Sequence, residues 1–145
     1  MDIKFKKVHT GKDLAISGIT LAAGIGLYFL NAGLGGVIGV CGLLMLLLYK
    51  AGYKANGEGP VLTKKAQDIS HACRQSVVDY LNGKDVTPEL KGAALGASAR
   101  LEIYSNKEAG IVYAQLFDFS NYNYEKATEI VELHSPRADK LLIQL

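Results

Sequence analysis

Apolar and polar positions fall into two regimes along this chain. From Leu14 to Tyr49 no side chain is charged, and the apolar run is studded with glycine and broken only at Asn31-Ala32-Gly33. Lysines crowd both ends. This pattern predicts two helices, Leu14–Leu30 and Leu34–Tyr49, joined by a tight turn. Each arm stands at the short end of what spans a hydrocarbon core of about 30 Å at a rise of about 1.5 Å per residue. The expectation is a transmembrane helical hairpin over residues 14–49, preceded by a basic arm (1–13) and followed by a linker (50–61) and a small α+β domain (62–145).

Beyond the hairpin the pattern turns amphipathic. Ala51–Pro60 is punctuated by Gly52, Gly57, Gly59 and Pro60 and reads as the linker. Thr63 can cap a helix reaching about Asn82, with Ala66, Ile69, Cys73, Val77, Tyr80 and Leu81 on one stripe and Gly83 at the stop. Thr87-Pro88-Glu89 has the form of a second helix start, cut short by Gly92 and Gly96. Ser98–Ser105 alternates as a half-buried strand, Asn106–Gly110 is a polar hairpin loop, and Ile111–Phe119 returns as a central strand. Residues 122–134 favour a helix, with Glu129–His134 as an alternative continuation of the sheet. Lys140–Leu145 alternates as a last strand. The sum is a membrane-anchored α+β protein, its domain holding about three strands and two main helices.

Charge refines the placement. The formal net charge is +2, yet residues 62–145 are nearly balanced, with ten Lys/Arg against eleven Asp/Glu. The excess belongs to the hairpin flanks, where Lys4, Lys6, Lys7, Lys12, Lys50 and Lys54 lie. A basic stripe for nucleic acid is absent. Lysine-rich outer ends around an uncharged turn predict a multi-pass protein of the cell membrane with both termini and the domain in the cytoplasm, and a lipid bilayer as one partner. Cys41 and Cys73 fall on separate segments and predict no disulfide. A cleavable signal peptide is the competing reading of the first arm, but the apolar stretch exceeds an h-region and a second arm follows at once. Val40 before Cys41 also argues against lipid attachment.

Within the hairpin the glycines carry the information. Gly18, Ala22 and Gly26 recur every four positions on the first arm, and Gly35 and Gly39 on the second, giving slim faces for helix packing. They serve either the hairpin's own seam or neighbouring subunits. Neither arm carries an ionisable group of the kind an ion pathway needs.

Candidate chemistry is sparse. His71 and Cys73 are two apart on a predicted helix and point about 200° away from one another, and His9 and His134 have no ligand at metal spacing. Lys91–Gly96 lacks the strand context and Lys-Ser/Thr tail of a phosphate loop. No cofactor or metal is expected. Phe117–Tyr124 alternates rings with small polar groups, and Tyr122 and Tyr124 are its candidate partner contacts. The expected function is a non-enzymatic membrane accessory or assembly subunit, partnered by other membrane proteins or by itself as a homo-oligomer. A membrane-tethered enzyme or ligand sensor is the first alternative, and a small membrane-permeabilising protein the second.

Overall fold

The computed structural model describes residues 2–90 and 97–145. The chain runs β1 (Phe5–Val8), α1 (Gly11–Tyr28), α2 (Ala32–Leu48), β2 (Gly52–Ala55), β3 (Glu58–Ser70), α3 (His71–Leu81), β4 (Ala97–Asn106), β5 (Ile111–Ser120), β6 (Asn123–Lys126), β7 (Val131–His134) and α4 (Arg137–Ile143). All pairings are antiparallel, in the order β1-β2-β3-β4-β5-β6, with β7 also on β5. Over the described residues the fold is therefore a small α+β domain with a seven-stranded antiparallel sheet and four helices.

The helical hairpin grows out of this sheet. β1 and β2 are the chain on either side of it, and they pair as a short stem in which Lys6 faces Lys54. The stem continues through the tight Asn56-Gly57 turn, where both residues have positive φ, into the first half of β3. The stretch expected as a linker is thus largely built into the sheet, and of the flanking lysines Lys6, Lys7 and Lys54 sit on strands. Phe5 stacks on Tyr104 at 3.8 Å with 6° between the rings, and Tyr53 meets the same ring edge-on at 5.1 Å. These contacts fold the stem onto the helix-free face of the main sheet.

Asp13 locks the base of the hairpin. Thr10 caps α1 by accepting from the Asp13 N–H, and the Asp13 carboxylate accepts in return from the Thr10 N–H at 2.9 Å. The same carboxylate accepts from the Ala51 N–H at 2.8 Å, across the hairpin, and lies 3.2 Å from His9 Nδ1. The side chain is 1% exposed.

The transmembrane reading does not hold. Among the described residues no helix is long and apolar enough to cross a membrane. The reason is local: α1 begins at Gly11 and takes Lys12 and Asp13 into its first turn, and it ends at Tyr28. Its uncharged part, Leu14–Tyr28, rises only about 22 Å, and the 17 residues of α2 about 26 Å, short of a hydrocarbon core of about 30 Å. The multi-pass cell-membrane localisation, with cytoplasmic termini, loses its basis with the spans.

The main core lies between the sheet and α3 with α4. Ile69, Leu101, Ile103, Val112, Ala114, Leu116 and Leu133 point from the strands toward Val77, Tyr80, Ala138 and Leu141. β4 and β5 form where alternation predicts them, with β5 central. Four other expectations are corrected. Thr63–Ser70 is strand, because its backbone pairs with β4 over its whole length and Ile69 faces Ala99 in the core; helix begins only at His71. Residues 122–134 hold two short strands, β6 and β7, each paired to β5, in place of the favoured helix, and β7 falls where the alternative at Glu129–His134 continues the sheet. The C-terminal segment is helical, since Ala138 and Leu141 are buried at helical spacing while Ile143 is 81% exposed. Residues 87–90 form no helix, although Pro88 and Leu90 are buried, and the continuation at Gly92 and Gly96 lies outside the described residues.

Burial alone would raise the Asp13 pKa, but the Ala51 and Thr10 N–H groups and His9 outweigh it and hold the carboxyl below its ordinary value. A depressed carboxyl pKa stabilises the fold above the unfolded-state value, and that stability is lost as pH falls through the folded-state value. Amide exchange at Ala51 is therefore expected to accelerate, relative to the β4–β5 amides, as pH is lowered below the usual carboxylate range. In Asp13→Asn, Ala51 is expected to exchange fast already at neutral pH.

Candidate functional site

The seam between α1 and α2 is made of backbone. A Cβ added at Gly24 would stand 2.2 Å from the Gly39 nitrogen, one at Gly35 2.2 Å from the Tyr28 nitrogen, and one at Gly42 2.4 Å from the Leu21 nitrogen. Only glycine admits the opposite helix at these three levels. Asp13, Ser17, Gly24, Gly35 and Gly42 are the buried residues of the two helices. Every large apolar side chain is consequently displaced outward or to the margins.

The result is an apolar body. Of twenty exposed large hydrophobic residues in the described chain, fifteen lie between Leu14 and Tyr49, among them Ile19 at 70%, Phe29 at 84% and Leu48 at 76% exposed. On one face the helices leave a groove of about 330 Å³, floored by Gly24, Gly35, Gly36 and Gly39 and walled by Ile25, Phe29, Val40 and Leu43. Its lining is almost entirely apolar. Gly35 and Gly39 thus lie in the seam. Gly18, Ala22 and Gly26 point away from it, with nothing within 4 Å of a Cβ at Gly18 or Gly26.

Gly24 and Gly42 were missed as seam residues because their row is not four-spaced. Ser17 to Gly24 and Gly35 to Gly42 are each seven apart, the period of a two-helix seam, and that spacing is the signal that finds them. Asp13 was legible only as a charge beside the apolar run, since its Ala51 partner is 38 residues away.

A second surface stands at the β5–β6 turn. Ser120 pairs with Asn123, leaving a two-residue loop of Asn121 (φ 50°) and Tyr122 (φ 61°). Positive φ at both positions is the condition for the favoured hairpin turn, and glycine is the usual occupant of the second. Tyrosine there is strained, yet its side chain is 97% exposed. Tyr124 is placed differently: it lies between the Phe119 ring, 5.1 Å away, and the Arg100 guanidinium, 4.4 Å from its centroid. Arg100 is itself held by Asp68 at 2.9 Å, and Arg74 by a two-pronged pair with Asp118 at 2.7 and 2.8 Å. The Arg74 guanidinium lowers the Asp118 carboxyl pKa.

The titratable candidates stay apart. His71 is exposed and Cys73 is buried with its Sγ 3.7 Å from Glu89 Oε2, while His134 pairs with Glu132 at 2.9 Å. Among the described residues no three His, Cys, Asp or Glu side chains group as metal ligands. A cavity of about 350 Å³ between the stem and the sheet is lined by Ile3, Leu62, Tyr113, Glu58 and Glu132 among others. Comparison with protein families, with curated proteins and with solved structures finds no match to this chain.

Two substitution sets test these surfaces. Gly24→Ala is expected to destabilise the helical hairpin by about 1–3 kcal/mol through backbone overlap, whereas Gly26→Ala, in open space, should stabilise it by about 0.5–1 kcal/mol; helical circular dichroism during urea unfolding reads both. Tyr122→Gly should relieve left-handed strain and raise the melting temperature by roughly 2–4 °C, for a gain of about 1 kcal/mol. A lower melting temperature would show that the exposed ring is held by the fold.

Proposed function

We propose that this protein is a non-enzymatic assembly subunit that associates with further copies of itself through the α1–α2 hairpin. One observation carries the reading: the hairpin gives up side-chain packing inside its glycine seam and displays its apolar side chains to the outside. Single exposed hydrophobic residues are ordinary on any protein, but a contiguous apolar body of two helices marks an association surface.

A second copy suits this surface because it brings the same two helices, uncharged from Leu14 to Tyr49. The glycine-floored groove accepts a helix between the Ile25 and Val40 walls. The outward row Gly18, Ala22 and Gly26 offers a slim face to approach it. Bundles of paired helices are held together by such packing, and self-complementary patches close into symmetric assemblies. In such an assembly the sheet domains lie on the periphery, and the Tyr122 tip remains free as a contact for a different protein.

The test is the mass of the purified full-length chain by sedimentation velocity at tens of micromolar. Wild type is expected as a defined multimer, and Ile25→Glu with Val40→Glu as a monomer with unchanged circular dichroism. A wild type that stays monomeric overturns the proposal. So does one that floats with phospholipid vesicles as a monomer, which would make lipid the occupant of the apolar surface.

A further inference from the structure

The three arginines of the chain are treated differently by the fold. Arg74 and Arg100 are each neutralised by an aspartate. Arg137 has no carboxylate partner among the described residues. Its Nη2 donates to the Tyr80 carbonyl, its guanidinium lies 4.7 Å over the Tyr80 ring, and the Tyr80 hydroxyl donates back to the Arg137 carbonyl at 2.5 Å. A guanidinium held only by neutral groups is oriented and keeps its full charge.

That charge faces an open cavity of about 480 Å³. Lys84, Lys140 and the carboxylate Asp85 line the same space, and Pro136 and Tyr80 complete its wall. Gly83 lies beside Arg137, at φ +91°, and a Cβ there would meet Arg137 Nη1 at 3.9 Å. Two carboxylates reach these cations: Asp79 holds Lys84 at 2.8 Å, and Asp85, fully exposed, lies 3.7 Å from Lys140. An exposed pair at that distance is weak, so Lys140 is free to turn inward. Among the described residues, three cations against two carboxylates leave one positive charge uncompensated, and it is that of Arg137.

We propose that this cavity binds the phosphoryl group of a small organic phosphate monoester. The three cations come from separate places, the turn after α3, the start of α4 and its next turn, and all three residues line this one cavity. A tetrahedral anion with three terminal oxygens accepts from all three, whereas a planar carboxylate is satisfied by the Arg137 fork alone. The volume lies within the range of small-molecule sites and leaves room beside the phosphoryl group for an organic part against Pro136 and Tyr80. This site is remote in sequence from the hairpin and independent of its assembly.

The experiment is titration of the ¹⁵N-labelled full-length chain at constant ionic strength with phenyl phosphate, inorganic phosphate and benzoate. Phenyl phosphate is expected to give saturable shifts confined to residues near 80–85 and 136–140, with tighter binding than either other probe. Lys140→Gln, whose side chain supports no core contact, should weaken it roughly fivefold or more. Arg137→Gln should weaken it further, and the Lys140 variant decides the matter if loss of the Tyr80 contacts unfolds the Arg137 one. Benzoate binding as tightly as phenyl phosphate, inorganic phosphate binding at least as tightly, non-saturating shifts, or wild-type affinity in Lys140→Gln would each overturn the proposal.

Discussion

The arrangement of this molecule depends on one buried carboxylate. Asp13 is shielded from solvent at the point where the helical hairpin leaves the sheet, and a buried charge is tolerated only when its hydrogen bonds are made. It makes them to Thr10, one residue before α1, and to Ala51, three residues after α2 ends. The start of the hairpin and its return are thereby fixed to the same side chain. β1 and β2 are then brought side by side as a stem, and the stem's Phe5 and Tyr53 rings seat it on Tyr104.

From that base the two helices rise in contact at backbone distance. Close approach at Gly24, Gly35 and Gly42 excludes side chains from the seam. A hairpin packed in this way cannot bury its own leucines and isoleucines, since the inner positions are taken by glycine and by Asp13 and Ser17. The exposed apolar surface is thus a geometric consequence of the seam. The sheet domain shows the opposite economy, with α3 and α4 covering one face so completely that Ile69, Leu101, Ile103, Val112 and Leu116 are fully buried. One chain therefore holds a closed core and an open apolar element, and the proposed assembly follows from the contrast between them.

The polar features divide along similar lines. Arg74 and Arg100 are matched by aspartates across elements and serve the sheet's surface, and Arg100 also props Tyr124. Tyr122 and Arg137 are the exceptions, one held in a strained turn with its ring in solvent, the other charged without a carboxylate partner among the described residues. Sequence patterning singled out Tyr122 and Tyr124 together, as neighbours in an aromatic run. In the fold they separate, because the two-residue turn projects one ring outward and lays the other back on the sheet face. Arg137 gave no signal, since its partner Tyr80 is 57 residues away.

What the sequence determined by itself is whatever rests on contiguous residues. The uncharged glycine-rich run with Asn31 between its halves is enough for two helices and a tight turn, and Asn31 caps the second one. Strict alternation around a polar loop is enough for the β4–β5 hairpin. The tertiary structure decided the rest. Thr63–Ser70, residues 122–134 and Arg137–Ile143 are short segments whose apolar positions fit both the helical and the strand period, so distant backbone partners and core contacts chose between them. It also decided how far the helices extend, since the charge-free run alone did not reveal that Lys12 and Asp13 belong to the first turn. Finally it set the rotation of α1 against α2, which sorts the glycines into those that form the seam and those that face outward. A helix's own sequence gives the angles between its residues, and only its partner gives the direction they face.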